Sequence, residues 1–126
     1  MRSFIISLII AGVVVASSLV FVGEIEKVSK TVGESVEEIV EALDAEDFEK
    51  AETLTEEMAE YVDREKITLA VIMDHTQLDK IESEIAELEG YIKGRVKNDA
   101  LAKCNVIDVQ VRHMPKNYKL KIENIL

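Results

Sequence analysis

The sequence predicts an all-α protein, in which an N-terminal transmembrane helix runs on into a small antiparallel bundle of about four helices. Three observations carry that prediction. The run that opens at Phe4 and closes at Val22, FIISLIIAGVVVASSLVFV, contains no charged residue and no proline. Beyond it, apolar residues recur at spacings of three and four, the period of a helix face. No Pro/Gly/Ser-rich linker or low-complexity tract interrupts the pattern, and Pro115 is the only proline.

The apolar run is 19 residues long. As a helix it measures about 28 Å, close to the ~30 Å hydrocarbon core of a bilayer. The apolar part of a signal peptide is shorter, roughly 7–15 residues, and ends at small residues. Ala16, Ser17 and Ser18 imitate such a cleavage site, but the run continues through Leu19, Val20, Phe21 and Val22. Residues 1–23 therefore read as an uncleaved anchor in the lipid bilayer and residues 24–126 as the domain it carries. A cleaved signal and a buried apolar helix are the alternatives. Arg2 precedes the run, while Lys27 and Lys30 follow it, so counting bases alone slightly favours a cytoplasmic domain. The very short N-terminal tail argues for a signal-anchor instead, and the expectation is a single-pass cell-membrane protein with an extracytoplasmic domain. Gly12 and Ala16 form a small-xxx-small pair, which permits close helix approach and makes a homo-oligomer through the N-terminal helix a candidate assembly.

Helical periodicity starts directly after the anchor. Ile25, Val28, Val32, Val36, Ile39, Val40 and Leu43 form one stripe, with Gly23 and Gly33 as points where the helix is free to bend. The segment LDAED at residues 43–47 breaks the stripe and supplies N-cap residues. A second helix follows, with Phe48, Ala51, Leu54, Met58, Tyr61 and Val62 inward. Its continuation through Ile67, Leu69, Ala70, Val71, Ile72 and Met73 is apolar nearly all round, and is expected to be the most buried stretch. Leu78, Ile81, Ile85, Leu88, Tyr91 and Ile92 give a third stripe that ends near Gly94. Ala100, Cys104, Ile107, Val111 and Met114 give a fourth. Residues 105–125 also alternate in the manner of strands, so a C-terminal β-hairpin turning at Pro115 is the alternative to the last helix. Pro115 is expected to end the element in either case. Leu120, Ile122, Ile125 and Leu126 are too apolar to be left in water, and are expected in a groove of the bundle.

Charge bounds the function. Residues 24–126 hold 25 acidic and 14 basic side chains, which argues against nucleic acid as a partner, since phosphates demand clustered Lys and Arg. The charge is uneven: residues 24–65 carry 16 acids against 4 bases, and residues 66–126 carry 9 against 10. A basic C-terminal segment packed beside acidic helices of the same chain explains this; a basic tail meeting anionic lipid heads is the other reading. Cys104 is the only cysteine. It excludes an intrachain disulfide and a thiolate metal cluster, and leaves an intermolecular disulfide as an alternative. Its place on an apolar stripe makes it a small core hydrophobe, and no catalytic residue is expected.

The stretch MDHTQLDKIE at residues 73–82 concentrates the remaining polar chemistry. On one continuous helix His75, Asp79 and Glu82 share a face, and an imidazole with two carboxylates is a legitimate metal-ligand set. No HExxH is present. The expectation is a corner between the second and third helices, capped by Asp74 or Thr76 with the His75 ring on terminal backbone groups, and no metal or other cofactor.

The segments AEDFEKAETLTEEM, VIMDHTQLDKIESEIAELEGYIKGR and MPKNYKLKIENIL, behind an N-terminal anchor, resemble the family catalogued as domain of unknown function 4363. The resemblance covers essentially the whole chain, and implies a small membrane-anchored protein of a Gram-positive bacterium. The family has no established activity, so the likeness supports the layout and adds no chemistry. AEDFEKAE also resembles the opening of a tetratricopeptide-type helical hairpin, a binding module whose period recurs every ~34 residues. The function expected is a non-catalytic interaction or scaffold module at the cell surface, bound to another membrane or surface protein. An extracytoplasmic ligand- or metal-sensing domain and a self-assembling structural subunit are the alternatives.

Overall fold

The computed structural model describes the backbone of residues 1–125, with the side chains of all of these but Ile72, residues 117–122 and Ile125. It contains four helices: α1 (Arg2–Asp44), α2 (Phe48–Ile72), α3 (His75–Lys93) and α4 (Lys97–Ile125). Each packs against the next, and α4 closes against α1. The short turns make neighbours antiparallel, so the domain is an up-down-up-down four-helix bundle. It is a closed ring, not the open stack that tetratricopeptide hairpins build. No described residue is in a strand, and the β-hairpin alternative for residues 105–125 gives way to helix.

The α1–α2 and α3–α4 turns lie together at one end, here the far end. Glu46 and Arg95 each adopt positive φ, at 58° and 57°, a conformation that closes a helix C-terminus. In the first turn the Asp47 N–H donates to the Ala42 carbonyl at 2.8 Å; in the second the Val96 N–H donates to that of Tyr91 at 2.9 Å. Asp47 then caps α2, its carboxylate accepting from the Lys50 N–H at 3.1 Å. The Arg95 guanidinium stands 5.4 Å over the Phe48 ring, and Lys97 pairs with Glu46 at 3.7 Å, so the two turns are tied to each other.

The opposite, near end is where α1 leaves the bundle. Residues 1–21 are exposed apart from the half-buried Ser17 and Ser18, and burial begins at Val22. This half of α1 is long and apolar enough to cross a membrane. Two of its serines bond back to the helix: Ser7 Oγ donates to the Ser3 carbonyl at 2.8 Å and Ser18 Oγ to that of Val14 at 2.9 Å. That local pairing keeps hydroxyls compatible with an apolar surrounding. The helix passes through Gly23 and Gly33 without a break.

The core follows the stripes. Ile25, Val28, Val32, Val36, Ile39 and Leu43 of α1 face Met58 and Val62 of α2, Leu78, Ile81, Ile85, Leu88 and Ile92 of α3, and Ala100, Cys104, Ile107, Val111 and Met114 of α4 in one cluster. The expectation for residues 67–73 is half wrong. Leu69 and Met73 are buried, but Ile67 is 81% and Val71 75% exposed. A run that is apolar at every angle carries no phase, and the bundle closes over only one side of α2. The placement expected for Leu120, Ile122, Ile125 and Leu126 falls outside the described side chains.

Pro115 does not end α4, which continues to Ile125. Proline has no N–H, so the carbonyl four residues earlier, that of Val111, loses its helical donor. Ser29 supplies the replacement. Its hydroxyl, carried on α1 and buried, donates to the Val111 oxygen at 2.6 Å. A polar residue in the middle of the α1 stripe thus satisfies the backbone group that the proline orphans, and the contact fixes α4 against α1 at that level. Neither residue makes sense alone; together they let the last helix run past its proline.

Candidate functional site

The stretch MDHTQLDKIE is a corner. α2 ends at Ile72, Met73 is extended at ψ 151°, and Asp74 caps α3, its carboxylate accepting from the Thr76 N–H at 3.1 Å. His75 is the first residue of α3. Asp74 is thus one of the two caps expected, while the His75 ring, expected on terminal backbone groups, is exposed. Asp79 is exposed, and Glu82 turns to α2, where Lys66 Nζ lies 3.1 Å from its carboxylate. The hydrogen bond to Glu82, then its charge, raises the Lys66 ammonium above the ordinary lysine range. Among the described residues no group of three or more His, Cys, Asp and Glu side chains is placed to hold a metal ion; His75, Asp79 and Glu82 are not brought together as a set.

Cys104 is completely buried on α4. Burial pushes its thiol up to about 12, so the thiolate needed for nucleophilic attack or disulfide exchange does not form near neutral pH. An intermolecular disulfide through Cys104 would require the bundle to open.

Three grooves run between neighbouring helices. The α2–α3 groove is small, about 180 Å³, floored by Val62 and Ile85. The α3–α4 groove, about 260 Å³, sets Gln77, Lys80 and His113 around Ile81 and Met114. The α1–α4 groove is larger, about 470 Å³, with Val36, Val40, Leu101 and Cys104 as an apolar floor and Glu37, Glu41 and Asp108 on its rim. Arg112 reaches that rim, pairing with Asp108 at 2.9 Å and lying 3.9 Å from Glu37. Arg112 on Glu37 and Lys97 on Glu46 set basic side chains of α4 against acidic ones of α1 and its turn, as the uneven charge suggested. Pairs this exposed contribute little to stability, about 0–1 kcal/mol each.

One buried polar seam was not anticipated. Glu84 is 8% exposed, and its Oε1 accepts from Gln110 Nε2 at 3.3 Å across the α3–α4 contact. Glu87, one turn toward the far end of α3, pairs with Lys103 at 2.8 Å, and that hydrogen bond raises the Lys103 ammonium above the usual lysine range. The available signal was position: Glu84 sits three residues after Ile81 and four before Leu88, on the apolar stripe itself.

Fold and surface together define a four-helix bundle carried on one long helix, the first half of which is long and apolar enough to cross a membrane. The family model described as a domain of unknown function, DUF4363, matches residues 19–125. The chain belongs to that family, as the DH…LDKIE and ENIL segments indicated. No curated protein and no solved structure matches it.

Proposed function

We propose that this protein is a membrane-tethered, non-catalytic module that holds a partner protein outside the cell through its α1–α4 groove. The observation that supports this most is the groove's chemistry. An apolar floor ringed by Glu37, Glu41 and Asp108 accepts an amphipathic segment with basic flanks, the helix-in-groove mode of recognition. Field reinforces contact. A level through the bundle is set by the Ser29–Val111 and Glu84–Gln110 hydrogen bonds. Counted along the sequence, the far side of that level, residues 31–64 and 84–110, carries 18 acidic and 6 basic side chains. Such a surface steers cationic partners and repels anionic ones. Anchoring by residues 4–22 places that acidic half away from the lipid.

The test is affinity capture of the intact protein from its own membranes after cross-linking, wild type against Glu37→Lys with Glu41→Lys. Both positions are exposed, so the fold is expected to survive. A partner recovered with wild type should fall about tenfold or more with the double variant, the loss expected when a complementary charge pair is reversed. Equal recovery of the same partner would remove the groove from the proposal. Recovery of a second copy of the chain alone would favour the self-assembling subunit.

A further inference from the structure

We propose that the near end of the bundle rests on the bilayer surface, with Ile67 and Val71 of α2 set into the headgroup layer beside α1. This rests on the reading that residues 4–22 span the membrane. Three observations carry it.

The first is exposure. Among the described side chains beyond residue 21, Ile67 at 81% and Val71 at 75% are the most exposed large apolar ones; the others reach 46% at most. They are four residues apart, so they stand on one outward face of α2, one turn above the other.

The second is level. α2 runs back antiparallel to α1 from the far turn, and Val71 precedes Ile72, the last residue of α2. Counting equal rise along the two helices from that turn brings Val71 opposite Phe21. Following the cross-bundle contacts instead (Lys66 on Glu82, Gln110 on Glu84, Ser29 on Val111) brings it opposite Gly23. Both counts put Val71 within about 2 Å, along the axis, of the end of the apolar run at Val22. The headgroup layer extends roughly 5–7 Å beyond the hydrocarbon on each side. Apolar side chains at that depth are buried as those of an interfacial helix are.

The third is charge. Among the described side chains, the near side of the bundle, residues 24–30, 65–83 and 111–116, carries 6 acidic and 6 basic ones, against 18 and 6 on the far side. Almost the whole negative charge of the domain is thus kept at the end remote from the anchor. A near-neutral end is what an anionic lipid surface tolerates, and basic residues on it are attracted. A patch built for a protein partner would have no reason to coincide with both the anchor's exit and the charge boundary.

The test uses the full chain in phosphatidylcholine vesicles, with and without phosphatidylglycerol. One sample carries Val71→Cys and the other Glu57→Cys on the far, exposed part of α2, each labelled with an environment-sensitive dye; Cys104 stays silent because it is buried. Lipids bearing a nitroxide at the headgroup should quench the dye at position 71 several-fold more than at position 57, and phosphatidylglycerol should strengthen the difference. Flotation with the vesicles but equal quenching at the two positions would overturn the seating and leave the anchor reading intact. Cross-linking between the introduced cysteines of two copies, without lipid quenching, would overturn it in favour of self-association. Failure to float with the vesicles at all would overturn the anchor reading, and the seating with it.

Discussion

Leu69→Asp is expected to lower Tm by on the order of 20 °C or more, while Val71→Asp, two residues later, leaves it nearly unchanged. Leu69 is 2% exposed and Val71 75% exposed. A carboxylate at position 69 loses its hydration without gaining a partner, and the core loses the leucine packing as well, a combined cost of several kcal/mol. A domain of this size has about 5–15 kcal/mol of stability to lose, and roughly 4–8 °C of Tm per kcal/mol. At position 71 the side chain lies outside the bundle's core, so the new charge costs the fold itself no more than about 0.5 kcal/mol. Circular dichroism melts of the full chain in mild detergent read both. Equal losses at the two positions would mean that α2 is rotated from the orientation described here.

The second large effect concerns Ser29 and Pro115. Ser29→Ala removes the hydroxyl that donates to the Val111 carbonyl at 2.6 Å and leaves that oxygen buried and unpaired, at about 1–3 kcal/mol. Pro115→Ala restores the missing N–H and should stabilise the chain, by up to the ~3 kcal/mol that proline costs inside a helix. The decisive quantity is the coupling. In the Pro115→Ala background the helix serves Val111 itself, so Ser29→Ala should cost well under half of its effect in wild type. A double-mutant cycle on Tm and denaturant midpoint measures this. The same cost in both backgrounds would show that the serine contributes to packing and not to the orphaned carbonyl.

Where each residue needs only its own helix to be read, the sequence is a sufficient guide. The stripes of α1, α3 and α4 are pure phase information, and each residue named on the α4 stripe from Ala100 to Met114 is buried. The corner at residues 73–75 was legible because Asp74 is a strong cap followed by a fresh stripe. What failed depended on other helices. Residues 67–73 have no angular contrast, so nothing local distinguishes Leu69 from Val71; the bundle's edge does. Pro115 obeys a local rule that ends helices, and the exception is made by a hydroxyl 82 residues from the Val111 carbonyl it satisfies. Ser29 was nonetheless a visible anomaly, a polar residue four after Ile25 and three before Val32. The α1–α4 groove was invisible for the same reason: its floor comes from two helices at opposite ends of the chain.

The proposed function depends on the acidic end of the bundle facing away from the cytoplasm. The most direct measurement places a single reporter thiol there. Ala45, in the exposed α1–α2 turn at the far end, is replaced by cysteine in the full chain, with Cys104 left buried. Intact protoplasts are then treated with a membrane-impermeant maleimide. The account predicts rapid labelling of the Ala45→Cys protein in intact protoplasts, no labelling of wild type, and no further gain on lysis. Labelling that appears only after the membrane is opened would put the bundle in the cytoplasm and contradict the account.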